Sequence, residues 1–491
     1  MTLTEKKILH LNALDHLPPP NYAQSVIYLS LNPSISPKDA FVVLQAGLRR
    51  TFQQLPWLSG KVQPVSENDP SSLEVRFGQP YPADNEGLPQ FRFNELDDGI
   101  TYEDLRESGF HPTAFPDESL TWAPFMPDVK NGSHVFVAQA NFLPGACLLT
   151  SAICHSVGDG IAVNSIVKIW AENCHLFQRE LPVEALSSDL SNHYLLDQIA
   201  SEAKHSHQND SIPTDTWSLL GLAPPNDTSN SQPHSNPNPN SIKPELKACL
   251  FYIPSDKVSC LRTDCQASST EDLTLTDAIS ALIWRSLLRA RLSAREKAAA
   301  AASAAAFPEH DETARLDLPF DARAYFPETI PPSYLGNLTM IHQVHLPLSI
   351  LTSPTYPLSS TAEAIRSVAG KVTTQSVLSA YNLCKTRTGS ERSLTLDNLR
   401  VDGNGLIITS FAGFDSNSIS FGSGQGSVFG NGGRPDAVRS LVGAISKVFR
   451  YCAILPRKSK GGVEFVATLS DDEVECLEDD GEFGRYAVFV S

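Results

Sequence analysis

The chain has 491 residues, 41% of them hydrophobic and 19% charged, a length that exceeds one ordinary core and points to two domains. Its formal charge of -17 argues against general nucleic-acid binding, which needs clustered basic residues, yet leaves room for a local basic pocket around a small phosphorylated ligand. No run approaches the roughly 18 apolar residues of a membrane helix, and the opening MTLTEKKILHLNALDHLPPPN lacks the parts of a signal peptide, so no membrane partner and a cytoplasmic location are expected.

In chain order, AFVVLQAGLRRTFQQLPWL carries apolar residues at helical spacing and predicts an amphipathic helix. SHVFVAQANF and ACLLTSAICH predict strands, and GIAVNSIVKIWAENCHLF a helix. From 205 to 245 the chain is rich in Asn, Ser and Pro and poor in periodicity. Such a composition buries too little surface to offset its ordering entropy, which predicts a flexible crossover linker. Beyond it, Ala248 to Ile253 predicts a strand. A long helix then starts at the cap-like Thr274 or Thr276 and runs into an Ala-rich extension at 298–306. LTMIHQVHLPL, GLIITSFAG and GVEFVATL predict strands, RPDAVRSLVGAISKV a loop leading into a short helix or strand, and LSDDEVECLEDD a closing helix. Strands and helices mix in both halves, so the class is α/β or α+β with two lobes, 1–204 and 246–491. Nine scattered cysteines with no CxxC pair fit reduced thiols in an intracellular protein and supply no zinc pattern.

The stretch CLLTSAICHSVGDGIAVNSIVKIW places His155 at the end of an apolar strand, then turns through two glycines straight into a helix. A histidine four residues ahead of an aspartate is a weak pattern, and with 13 histidines chance supplies about one. A second copy, His193 and Asp197, lies in NHYLLDQIASEAK, a polar helix by pattern, and reads as a surface pair whose loss should do nothing measurable. His155 and Asp159 instead flank a strand-to-helix loop, where rigid elements commonly hold reactive groups. Neutral imidazole can take a proton from an attacking hydroxyl or amine near neutrality. By residue type alone, His155 is a general base, a core histidine or a metal ligand. No second ligand cluster supports the metal, and no GxSxG, GxGxxG or GxxxxGK[ST] motif supports a serine hydrolase or a phosphate loop. Asp159 suits an arginine partner or the cap of the following helix.

The run ICHSVGDGIA resembles the HxxxDG signature of the BAHD-type acyl-CoA-dependent acyltransferases, nearest to the fungal branch typified by trichothecene 3-O-acetyltransferase. Further segments resemble that family in order. NALDHLPPPNYAQSVIYLSL is similar to its opening strand segment, LRRTFQQLPWLSGKV to its first helix and TLTDAISALIWRSLLRAR to the helix opening its second domain. LPFDARAYFPETIPPSYLGN carries the arginine, here Arg323, and the Tyr334-x-Gly336-Asn337 turn; ITSFAGFDSNSISFGSG resembles a Thr-Ser-Trp strand followed by Asp-Phe-Gly-Trp-Gly. In that last motif Ser420, Phe421, Gly422, Ser423 and Gly424 stand here, without the aspartate or the tryptophan, and Val428 to Gly432 offers a rival alignment. The missing aspartate pairs with an arginine in the family, so Arg323 is expected to lack that partner or find another.

The resemblance implies two chloramphenicol-acetyltransferase-like lobes, each a mixed β-sheet flanked by helices, with a channel between them. It also implies a monomer that moves an acyl group, acetyl by default, from acyl-CoA to a hydroxyl or amine of a small secondary metabolite. His155 would be the base and Thr409 a donor to the oxyanion; Asp159 would be structural, and Gly160 would let backbone approach ligand. The CoA phosphates would meet basic residues of the second lobe, among them Arg434, Arg439, Lys447, Arg450 and the Arg457-Lys458-Ser-Lys460 cluster. No permanently bound cofactor or metal is expected. Two other readings are a catalytically impaired relative that binds a metabolite or partner, favoured by the degraded Ser-Phe-Gly-Ser-Gly motif, and a condensation-domain-like enzyme, weakened because Cys154 replaces that motif's first histidine.

Overall fold

A computed structural model describes residues 7–78, 87–97, 99–202, 213–222, 224, 245–301, 313–387, 403–447, 449–458 and 461–491. Three sheets carry the described strands. The N-terminal lobe holds a five-stranded sheet built from β2 (Tyr22–Ser30), β5 (Phe91–Glu95), β7 (Phe136–Leu143), β8 (Ala146–Cys154) and β13 (Ala437–Ser440), in the order β13-β2-β8-β7-β5. A smaller antiparallel sheet beside it joins β1 (Lys7–His10), β4 (Asp69–Phe77), β3 (Lys61–Ser66) and β6 (Ser133–His134). The C-terminal lobe holds β9 (Lys247–Ile253), β10 (Thr313–Asp321), β11 (Thr339–Pro347), β12 (Gly405–Ser410), β14 (Tyr451–Ile454), β15 (Val463–Leu469) and β16 (Val488–Phe489), in the order β11-β10-β12-β14-β15-β9-β16.

β8 is the central strand of its sheet and buried at every position, because β2 and β7 flank it and helices cover the sheet. Those helices are Pro37–Gln54 and Gly160–Gln178. The first is launched by Ser36, whose side chain accepts from Asp39 N–H, with Pro37 at the first turn. It buries Ala40, Val43, Leu44, Leu48 and Phe52, one stripe at helical spacing. The second lays Ala162, Ile166, Trp170 and Cys174 into the same core, and Trp170 Nε1 donates to Leu44 O across the helix pair. In the other lobe the helix Leu275–Ala301 starts at Thr274, which exchanges hydrogen bonds with Asp277 in a capping box, and not at Thr276.

Three features depart from the pattern read in the sequence. NALDH forms a 3-10 turn over Ala13–His16, and the strand begins only at Tyr22. Within 205–245, the described part carries a short helix, Thr214–Ser218, and buries Trp217, Leu219, Leu220 and Leu222; that piece has the apolar side chains its neighbours lack. The rest of the stretch lies outside the described residues, as does 302–306 of the Ala-rich run. Finally, β13 leaves its own lobe. Ala437 to Ser440 pair antiparallel with Tyr28 to Ser25, covering an edge of the N-terminal sheet that would otherwise present unpaired backbone groups. Among the described residues, no helix is long and apolar enough to cross a membrane.

Candidate active site

His155 follows the last residue of β8, in the turn that leads to the helix Gly160–Gln178. Its main chain is held from both lobes. The N–H donates to Asn21 O at 2.8 Å, and the carbonyl accepts from Asn337 Nδ2 at 2.8 Å. The ring is half-buried, and its Nδ1 is buried without a hydrogen-bond partner among the described residues. No group of three or more His, Cys, Asp or Glu among those residues is arranged to hold a metal ion.

Asp159 locks the loop to the second lobe. Its side chain caps the helix through Ala162 N–H at 3.1 Å. The same carboxylate accepts from Arg323 Nη1 and Nη2 at 3.0 Å each, Leu338 N–H at 2.9 Å and Thr339 Oγ1 at 3.0 Å. Burial alone would raise its pKa, but the guanidinium beside it and these donors hold the carboxyl below the usual carboxylate range. Arg323 therefore has a buried partner despite the altered motif, and its remaining donors go to Asp321, Tyr334 O and Gly336 O. Gly158 completes the contact: a Cβ there would lie 2.8 Å from Ala162 Cβ and 2.9 Å from Leu335 O. At Gly160 a Cβ would come within 3.3 Å of Phe411 and 3.5 Å of Phe414, so its smallness makes room for two rings after β12.

Those rings bring the β12 strand to the histidine loop. Thr409 is half-buried on β12, opposite Ala453 of β14, and its hydroxyl meets the phenol of Tyr451. Burial pushes the Tyr451 pKa up to about 12, so this phenol stays protonated, and its contact with the Thr409 hydroxyl offsets part of that rise. No pattern in the sequence pointed to Tyr451.

The Ser420–Gly424 motif lies elsewhere, around the C-terminal end of the helix whose N-terminus carries the histidine loop. At a rise of 1.5 Å per residue, that helix separates its ends by on the order of 27 Å. Gln178 Nε2 donates to Phe421 O at 2.7 Å, Gln178 Oε1 accepts from Val428 N–H at 3.1 Å, and Arg179 Nη2 donates to Ser423 O at 2.8 Å. Ser420 Oγ donates to Gly432 O at 2.7 Å, while Phe421 is buried against Trp170 and Phe429. Gly422 and Gly424 have φ of 128° and 93°, a left-handed backbone that a side chain would strain. These residues secure the second lobe's excursion onto the first.

The basic residues separate into two groups. Arg439 is buried and spends its guanidinium on Phe110 O, Gly109 O, Val438 O and Glu464, because β13 carries it onto the N-terminal sheet. Arg450 is likewise buried against Glu473, and Lys458 pairs with Glu464. Arg434, Lys447 and Arg457 are exposed, whereas Ser459 and Lys460 lie outside the described residues.

His193 is not on a helix surface and does not face Asp197. It is buried, with Nδ1 2.7 Å from Asp15 Oδ2, while Asp197 pairs with Lys385. It precedes the helix Leu195–Glu202, so helical i,i+4 geometry never applies.

Residues 110–484 match the Transferase family, and residues 22–174 match the trichothecene 3-O-acetyltransferase-like N-terminal domain. The chain is 27% identical, over 98% of its length, to the isocyanide synthase-NRPS hybrid crmA of Aspergillus fumigatus, and spans only 31% of that relative. It is 22% identical to the acyltransferase cm3D of Cordyceps militaris, covering 99% of this chain and 97% of the relative. Among solved structures, F. sporotrichioides TRI101 complexed with coenzyme A and T-2 is similar at a TM-score of 0.73 and 18% identity, covering 99% of this chain and 100% of that one. At that identity the likeness shows the shared two-lobed fold. Because the family match runs through most of its length, the chain belongs to the Transferase family, with a trichothecene 3-O-acetyltransferase-like N-terminal domain.

Proposed function

We propose that this chain transfers an acyl group, acetyl by default, from acyl-CoA to a hydroxyl or amine of a small metabolite, with His155 as general base. The observation that carries the reading is the half-buried imidazole at the strand-to-helix turn, its main chain held by Asn21 from one lobe and Asn337 from the other. A base in that position can be reached by two substrates entering from opposite faces of a channel between the lobes. It takes the proton of the acceptor, and the resulting nucleophile attacks the thioester carbonyl. Thr409, on the strand beside Tyr451, donates to the oxyanion; a preplaced donor of this kind contributes roughly 100- to 1000-fold in rate. The tetrahedral intermediate then expels the CoA thiolate, a good leaving group because a thiol pKa lies near 8.5. No covalent acyl-enzyme is needed, since holding both substrates together removes most of the entropic barrier.

Asp159 contributes by position only, because among the described residues its carboxylate accepts from the cap and the second lobe. Ser420 to Gly424 are structural in this reading, and their departures from the family's motif leave the reacting centre untouched. Exposed Arg434, Lys447 and Arg457 are the candidates for the CoA phosphates. The TRI101 complexes with coenzyme A and with T-2 or deoxynivalenol support an acyl-CoA and a small hydroxylated acceptor here. A cytoplasmic monomer fits nine scattered cysteines with no CxxC pair. Incubation with acetyl-CoA and a panel of hydroxylated and amino metabolites, followed by free thiol and acylated product, tests the assignment. Binding of CoA with no acyl transfer to any acceptor or to water would favour the impaired relative instead.

A further inference from the structure

Asp15 and His193 are 178 residues apart in sequence and meet in a buried, hydrogen-bonded pair that the chemistry above does not use. The Asp15 carboxylate is wholly buried and four donors converge on it. Oδ2 accepts from Asn12 N–H and His193 Nδ1, each at 2.7 Å; Oδ1 accepts from Asn337 N–H at 3.0 Å and Asn337 Nδ2 at 2.9 Å. Both oxygens of Asp15 are used as acceptors, so Nδ1 of His193 supplies the hydrogen of their bond. Nε2 of the same ring, which packs near the rings of Trp57 and Tyr334, is buried with no hydrogen-bond partner among the described residues. Leaving that nitrogen unsatisfied costs stability. An apolar side chain would avoid the cost, so what the imidazole adds is the bond that fixes Asp15.

Asn337 carries this fixation to the reacting centre. Its Nδ2 donates both to Asp15 Oδ1 and to the His155 carbonyl at 2.8 Å. Both neighbours are acceptors, so the amide can sit only one way round. The backbone of the base thus hangs between Asn21 O and an amide whose orientation Asp15 sets.

We propose that Asp15 and His193 are positioning residues for His155, acting through Asn337. The inference rests on His155 being the base. Asp15 is itself placed by the capping box of the turn Ala13–His16, so the N-terminal segment, the segment after β8, the turn before the helix Leu195–Glu202 and the turn before β11 converge on one imidazole.

The test measures thiol release from acetyl-CoA, with water alone and with a panel acceptor, alongside the melting temperature and CoA binding by calorimetry. His193→Leu is expected to lower kcat by about 10- to 100-fold while KM for acetyl-CoA stays within about twofold, the signature of a displaced base. In His193→Asn the amide Nδ2 can stand where Nδ1 stood and donate to Asp15, and kcat returns to within about threefold of the parent. The double variant His193→Leu with Asn337→Ala is expected to be no slower than Asn337→Ala alone, since both act along one path. Parent-like turnover in His193→Leu, an Asn variant no better than Leu, or losses that multiply in the double variant each overturn the proposal. Should His193→Leu not fold, the isosteric Asp15→Asn carries the same expected loss and the same pairing with Asn337→Ala. Retained turnover in His155→Ala removes the base itself. A parent-like His193→Leu beside an inactive His155→Ala removes only the positioning role.

Discussion

Two histidines in this chain stand four residues before an aspartate, and the two pairs have opposite fates. In neither does the histidine touch its own aspartate: Asp159 binds Arg323 and caps a helix, while His193 binds Asp15 and Asp197 binds Lys385. His155 keeps its ring half-buried at the meeting of two lobes; His193 is fully enclosed. Identical spacing therefore means nothing by itself. What separates the pairs is the element beneath each: a turn pinned between a central strand and a long helix for one, a short approach to a peripheral helix for the other.

The contrast can be broken most forcefully at the histidines. His155→Ala is expected to lower acyl transfer by about 100- to 10,000-fold with little change in melting temperature, because no side-chain hydrogen bond is lost at Nδ1. Single-turnover thiol release beside a thermal melt checks both halves, and an inactive but also destabilised variant would blur the contrast with His193. Next come the aspartates. Asp159→Asn leaves Arg323 with one buried charge partner fewer and is expected to cost about 3 kcal/mol in a denaturant titration. Because the folded Asp159 pKa is depressed, its contribution is present above the unfolded carboxylate value of about 3.9 and is lost as pH falls through the folded value. Stability of the parent should therefore decline on acidification below about pH 4, with a shallower decline in Asp159→Asn. A parallel pair of acid-unfolding curves would mean that the bond to Arg323 does not distinguish this loop.

Gly158→Ala probes the same junction by shape. Its added Cβ would press on Leu335 O, which is backbone and cannot swing aside, and a loss of about 1–3 kcal/mol is expected together with a fall in kcat. Smallest is Asp197→Asn. Its partner Lys385 is exposed, so melting should show a loss of at most about 1 kcal/mol, and turnover should be unaffected. A rate defect there would draw the second pair back into function.

Much of the architecture around His155 was legible because it is local. The apolar run of β8, the two glycines and the amphipathic run from Gly160 mark a strand, a turn and a helix within a few tens of residues. Asn12 and Asp15 also had a readable signal, a capping box four residues long, although its buried use was not visible. Periodicity says which face of an element is buried and never what meets it there. Arg439 looked available to a phosphate because nothing nearby foretells that β13 crosses to the other lobe, where Gly109 and Phe110 take its donors. Gln178 and Tyr451 give no sequence signal, and His193 reads as a surface residue, for the same reason: their partners are distant in sequence or a strand away.

The amino-acid order by itself determined the mixed class, the long helices, the strand-turn-helix that presents His155, and a family signature around it. Only tertiary structure decided that Asp159 would hold Arg323, that the altered glycine motif would sit at the far end of a helix, and that His193 would be enclosed with Asp15. Turn chemistry and hydrophobic rhythm act between near neighbours, whereas burial and ion pairing depend on which distant segments the folded core brings together.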